Sequence, residues 1–219
     1  MARIVDLTLP VVPGRRGADR TPARTIERDG WNAANWQLYS HAGTHMDAPV
    51  HFAAGPGTID RTPLSTCLGP AWIADLRPVA PAAVLEPRHL GALQHRFTPG
   101  ESLLLLTGWS THADNPVLYR DRLPRIGEVL ARWCVAHQVK LLGVEPPSVA
   151  DVNNLPEVTR IHQILLGGGV TIVEGLANLD TLTQERVFFG ALPLKLADGD
   201  GSPVRAFAVE GLAPGVIPL

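Results

Sequence analysis

The chain has 219 residues, a net charge of -2 and a pI near 6.4. Hydrophobic residues make up 45%, enough for one sizeable core and suited to a single domain over residues 1–219. The balanced charge argues against nucleic acid and against an anionic membrane surface as partners, and no apolar run reaches the length of a membrane span.

Residues 3–7 (RIVDL) predict a short opening strand, and residues 10–30, rich in Pro, Gly, Arg and Asp, predict a loop. Asn35 to His41 (NWQLYSH) reads as a strand running into a histidine-rich stretch, and AAGPGTIDRTP after it reads as a loop. Ala71–Leu76 and Ser102–Thr107 are short apolar runs bounded by breakers, which favours buried strands. Residues 86–95 suggest a short helix. In Arg125–Gln138, Ile126, Val129, Leu130 and Trp133 fall at helical spacing, and Lys140–Val144 follows as a strand. Pro156–Leu166 predicts a helix ended by the glycines at 167–169, with Val170–Val173 as the next strand. Residues 187–196 and 203–209 read as closing strands joined by a hairpin connection, ADGDGSP. Strand–helix–strand order points to α/β organisation.

Residues 41–52 read HAGTHMDAPVHF and hold three of the chain's 8 histidines. His41, His45, Asp47 and His51 are all odd-numbered, so an extended chain would point all four one way, whereas a helix would turn Asp47 aside. A straight strand from His41 to Asp47 would span about 20 Å at roughly 3.3 Å per residue, and metal–ligand bonds are only about 2 Å long. Four donors on one ion therefore require bends, for which Gly43 and Pro49 are suited. The alternative is a polar surface loop.

A second segment, HQILLGGGVTIVEGLANLD at 162–180, offers His162 on a helix and Glu174 at the end of an apolar run. A carboxylate abutting VTIV needs a partner; a metal, a basic side chain or backbone amides would serve. The combined donors are nitrogen and oxygen, which suit zinc, iron, nickel, manganese or magnesium. Cys67 and Cys134 lie far apart without CxxC spacing and read as buried thiols rather than zinc ligands. The N-terminal stretch lacks the apolar core of a signal peptide, so the expected location is cytoplasmic.

HAGTHMDAPVHF resembles the H-x-G-T-H-x-D-x-P-x-H-F signature of the cyclase family, which includes kynurenine formamidases and isatin hydrolases. IVDLTLP, GTIDRTPLSTCLGPAWIADL, LLLLTGW, LLGVEPPSV, the 162–180 segment and DGSPVRAFAV resemble its other blocks. The resemblance implies an α/β fold of the swivelling β/β/α type and a homodimer or larger homo-oligomer. It implies one or two divalent ions, zinc or manganese, on His41, His45, Asp47, His162 and Glu174. It also implies catalytic roles for His51, as general acid/base, and for Glu174. The chain departs from kynurenine formamidases in having PGRRGADRTP where those enzymes carry a pocket tryptophan, so a different pocket is expected. It has Gly143-Val144-Glu145-Pro146-Pro147-Ser148 where relatives show G-I-D-T-P-S, and Glu174-Gly175-Leu176 where they show E-N-L.

The function expected is metal-dependent hydrolysis of an amide, lactam or related acyl bond of a small molecule, the metal activating water and polarising the carbonyl and His51 moving the proton. Arg15 and Arg16 are either contacts for an anionic substrate or solvated arginines. The competing readings are an arylformamidase proper, a non-haem iron oxygenase using His45, Asp47 and His162 as a facial triad, and a non-catalytic metal-binding member of the family.

Overall fold

Short runs of Val, Ile, Leu and Ala bounded by Gly, Pro and Asp become strands, and eight of them share one sheet. In the computed structural model, which describes residues 1–15 and 17–212, the strands are β1 (Arg3–Asp6), β2 (Ala18–Arg24), β3 (Ala33–Leu38), β4 (His45–Asp47), β5 (Leu68–Asp75), β6 (Val84–Leu85), β7 (Ser102–Leu106), β8 (Arg125–Ile126), β9 (Leu141–Val144), β10 (Thr171–Glu174), β11 (Arg186–Pro193) and β12 (Gly201–Glu210). The order β12-β11-β5-β7-β9-β10-β4 returns to β12, so seven strands form a closed, barrel-like ring. β5, β7, β9 and β10 run parallel, and the other pairings in the ring are antiparallel.

Closure depends on the length of β12. One edge of β12 takes β11 along Val204–Val209. The other edge takes β4 at Gly201–Pro203 and β1 at Phe207–Glu210. β4 is only three residues long and is held on both sides, by β12 and by β10.

Alternation along the strands separates two cores. Leu104, Leu106, Leu141, Val173 and Met46 point into the ring, where Phe189 and Ala206 meet them. Leu103, Leu105, Leu142, Val144 and Ile172 point outward and are covered by the helices Glu128–Ala136 and Leu155–Gly167 through Leu130, Ala131, Ile161 and Leu165. On β4, Met46 takes the inner face, which leaves His45 and Asp47 on the outer face beneath the second helix. Among the described residues no helix is long and apolar enough to cross a membrane. Cys67 and Cys134 are free and buried, and burial pushes their thiols up to about 11 and about 12.

Three expectations need correction. Residues 10–30 are not a continuous loop: β2 lies there and pairs with β3 as a separate two-stranded sheet, followed by a single helical turn at Ile26–Asp29. Its Arg- and Pro-rich residues are largely exposed, so no buried face imposes apolar alternation. The helix expected from Arg125 starts at Glu128, because Arg125–Ile126 pair with Val84–Leu85. Residues 86–95 split into a 3-10 turn at Pro87–Leu90 and a helical turn at Leu93–Arg96, with Gly91 between them.

Met46 is fully buried on the inner face of β4. Met46→Ala should lower the unfolding free energy by about 2–5 kcal/mol, since the ring cannot collapse fully around the lost side chain; urea denaturation of the two proteins measures the difference.

Candidate metal centre

The register of β4 against β10 sets Glu174 opposite His45 and Ile172 opposite Asp47. His45 and Asp47, two residues apart on a strand, share its outer face, as the parity of the motif predicts. The extended reading fails outside β4. Gly43, at φ +64°, bends the chain so that His41 lies in a turn before the strand. A 3-10 turn begun by Pro49 lifts His51 over the same face. The helix Leu155–Gly167, capped at its start by Asn154, lowers His162 onto the site from above. All six predicted residues therefore gather in one place, five of them buried and His51 at the rim.

Backbone contacts fix the direction of two imidazoles. His45 Nδ1 lies 2.9 Å from the Gly43 carbonyl, and His162 Nδ1 lies 2.7 Å from the Val158 carbonyl. A carbonyl only accepts, so each Nδ1 carries a proton and each Nε2 is turned inward. His45 Nε2 is 3.2 Å from Glu174 Oε2 and 3.7 Å from Asp47 Oδ1. His162 Nε2 is 3.4 Å from Glu174 Oε1 and 3.5 Å from Asp47 Oδ2. His41 Nδ1 lies 2.9 Å from Asp47 Oδ1.

These residues fit a divalent cation on four physical grounds. Asp47 Oδ2 is buried without a hydrogen bond, the separation from His162 lacking the necessary geometry. Asp47 and Glu174 are two adjacent buried carboxylates, and among the described residues neither pairs with Lys or Arg. The donor atoms of His41, His45 and Asp47, and those of Asp47, His162 and Glu174, each lie within 4.8 Å of one another, with Asp47 common to both sets. Nitrogen and oxygen donors without thiolate suit borderline and hard cations.

The electrostatics agree. Burial alone would push the His162 imidazolium down, but Asp47 and Glu174 overcome it and hold its pKa up to about 10. Burial would raise the Asp47 carboxyl, but the neighbouring His162 and His45 imidazoles and the hydrogen bond with His41 drive it far below the usual carboxylate range.

Comparison with known proteins places the chain. The family described as "Putative cyclase" matches residues 5–151. The kynurenine formamidase of Salinibacter ruber is 32% identical over 188 residues, which is 85% of this chain and 84% of that protein. That of Geobacillus thermodenitrificans is 32% identical over 208 residues, 92% of each.

The chain belongs to the cyclase family.

Among solved structures, isatin hydrolase A from Labrenzia aggregata, bound to benzyl benzoate, has a TM-score of 0.82 at 25% identity, over 95% of this chain and 93% of that one. An isatin hydrolase bound to the product analogue thioisatinate has a TM-score of 0.84 at 21% identity, over 95% and 92%, and so shares the fold. The family match stops at residue 151, before His162 and Glu174; those two reach the cluster through β10 and the helix above it.

Some residues of this cyclase-family site escape a sequence reading. Asp200, in the DGDG run that reads as a turn, places Oδ2 3.1 Å from His41 Nε2 and 3.5 Å from His51 Nδ1. Its neighbour Gly201 is required there, because a Cβ would stand 2.6 Å from the His41 ring. Glu145 is fully buried and accepts from Thr107 N at 2.7 Å, Thr107 Oγ1 at 2.9 Å and Ser110 Oγ at 2.8 Å. It anchors the loop after β7 rather than facing the donors. The cleft, of about 250 Å³, has Tyr39, Phe52, Pro147, Ser148 and Val152 on its walls and Arg120 at its edge. Arg15 does not line it and is paired with Asp114; Arg16 lies outside the described residues.

The state of His162 has a consequence for metal uptake. Without an ion, His162 keeps a second proton up to about pH 10, and that proton must leave Nε2 before the nitrogen can bind a cation. Zinc binding to chelator-treated protein at pH 7.5 should release at least one proton, and apparent affinity should rise about tenfold per pH unit from this group alone. Calorimetry in buffers of different ionisation enthalpy measures both.

Proposed function

We propose that this chain, a metal-dependent hydrolase of the cyclase family, cleaves the carbon–nitrogen bond of a small non-peptide amide or lactam, with His41, His45, Asp47, His162 and Glu174 as metal ligands and His51 as general acid/base. The observation that carries the proposal is the contrast among four neighbouring imidazoles. All four line the cleft, but the side chains of His41, His45 and His162 are 7%, 2% and 3% exposed, whereas that of His51 is 23% exposed. Three are placed to hold something, and the fourth is placed to exchange protons with what enters.

A divalent cation supplies Lewis acidity there, lowering the pKa of water towards about 7 and polarising the scissile carbonyl. The chain's residues do the rest. His51 stacks on His41 with ring centroids 3.8 Å apart and meets Phe52 edge-on at 4.4 Å, so its ring orientation is held. Burial lowers its pKa, which favours the neutral imidazole that can accept a proton. In hydrolysis His51 takes a proton from water as oxygen adds to the carbonyl carbon. It returns the proton to the leaving nitrogen as the C–N bond breaks, giving a carboxylic acid and an amine. Glu174 is held by the backbone N–H of Val149 at 2.7 Å, which keeps its carboxylate facing His45 and His162.

The ion is zinc or manganese, and the two donor sets sharing Asp47 provide for one ion or two. Kynurenine formamidases and isatin hydrolases among the similar proteins make N-formylkynurenine and isatin the first substrates to test. Tyr39 and Phe52 on the cleft wall favour an aromatic substrate. The same reading takes the protein as a cytoplasmic homodimer or larger homo-oligomer; the exposed Ile26, Trp31 and Trp36 on or beside the β2–β3 hairpin support association with another copy.

His51→Ala should lower kcat by about 10²–10⁴-fold while the purified protein keeps its wild-type metal content. Elemental analysis alongside turnover of both substrates tests this, and full activity in the variant would remove His51 from the chemistry.

A further inference from the structure

His45 and His162 each donate Nδ1–H to a backbone carbonyl, and each turns Nε2 towards the carboxylates. His41 is reversed. Its Nδ1 faces Asp47 Oδ1 at 2.9 Å, and its Nε2 faces Asp200 Oδ2 at 3.1 Å. Its outer nitrogen thus meets a carboxylate where the other two rings meet a carbonyl. A ligating imidazole has one lone pair to give, and the partner of its other nitrogen decides which nitrogen gives it.

We infer that Asp200 is a positioning residue that accepts a hydrogen bond from His41 Nε2–H, so that the ring presents Nδ1, not Nε2, to a metal ion beside Asp47. The inference rests on the metal-centre reading above. Two further observations support it. Gly201 is pressed against the His41 ring, so β12 sets both the position of the ring and the position of the carboxylate that orients it. Asp200 is held over the site because its backbone carbonyl accepts from Ala48 N at 2.9 Å, one residue beyond β4. The same Oδ2 lies 3.5 Å from His51 Nδ1, so one carboxylate faces both the proposed ligand and the proposed proton carrier.

Zinc-loaded protein with 15N-labelled histidine provides the direct test. Long-range 1H–15N spectra should show His41 as the Nε2–H form with Nδ1 ligated, opposite to His45 and His162; an Nε2-ligated His41 would overturn the inference. Asp200→Ala should weaken zinc binding by about 10–100-fold in a competition titration. Asp200→Asn, whose amide oxygen can still accept the hydrogen bond, should recover most of that affinity. Wild-type zinc affinity in Asp200→Ala, or an equal loss in both variants, would also overturn it. Failure of the wild-type protein to bind zinc would instead count against the metal-centre reading itself.

Discussion

The three residues of β4 carry the structure and the site together. His45, Met46 and Asp47 are hydrogen-bonded to β10 on one side and to β12 on the other, and without them the seven-strand ring has an open seam. Strand alternation then does two jobs in one short run. Met46 goes inward and fills the ring, and His45 and Asp47 go outward to meet Glu174 and His162. A one-residue slip of β4 would bury the imidazole and the carboxylate in the apolar interior and expel Met46, so packing enforces the register on which the donor cluster depends.

Much of this was legible in the residues. The odd-number spacing of His45 and Asp47 and the apolar run ending at Glu174 lead to the observed face-sharing without any coordinates. So do the helix expected over Pro156–Leu166, which carries His162, and the bend for which Gly43 is suited. The signature also identified the family, because its donors and its turn residues are interleaved in a pattern that few unrelated loops would show.

What was not legible has physical causes. Asp200 sits among Gly and Asp residues whose local chemistry is that of a turn, and it reaches His41 only through the pairing of β12 with β4; no local pattern encodes a contact made by strands so distant in the chain. A strand overlapping β3 is legible, but β2 and its pairing with β3 are not, because β2 is largely exposed and Pro22 interrupts it. The short pairing of β6 with β8 was absorbed into the periodic helical pattern that follows it, since two residues carry no periodicity of their own.

The ring's seam also dictates a sequence of events during synthesis. β4 lies early in the chain, whereas its partners β10 and β12 lie late. A nascent chain emerging from the ribosome holds His41, His45, Asp47 and His51 for most of its elongation with no strand to receive them. The donor cluster therefore has all its members only once Glu174 on β10 has been made, and the seam behind it closes only with β12. Such non-local closure is slow compared with helix formation, so capture of an ion through both halves of the centre belongs to the final stage of folding rather than to its nucleation.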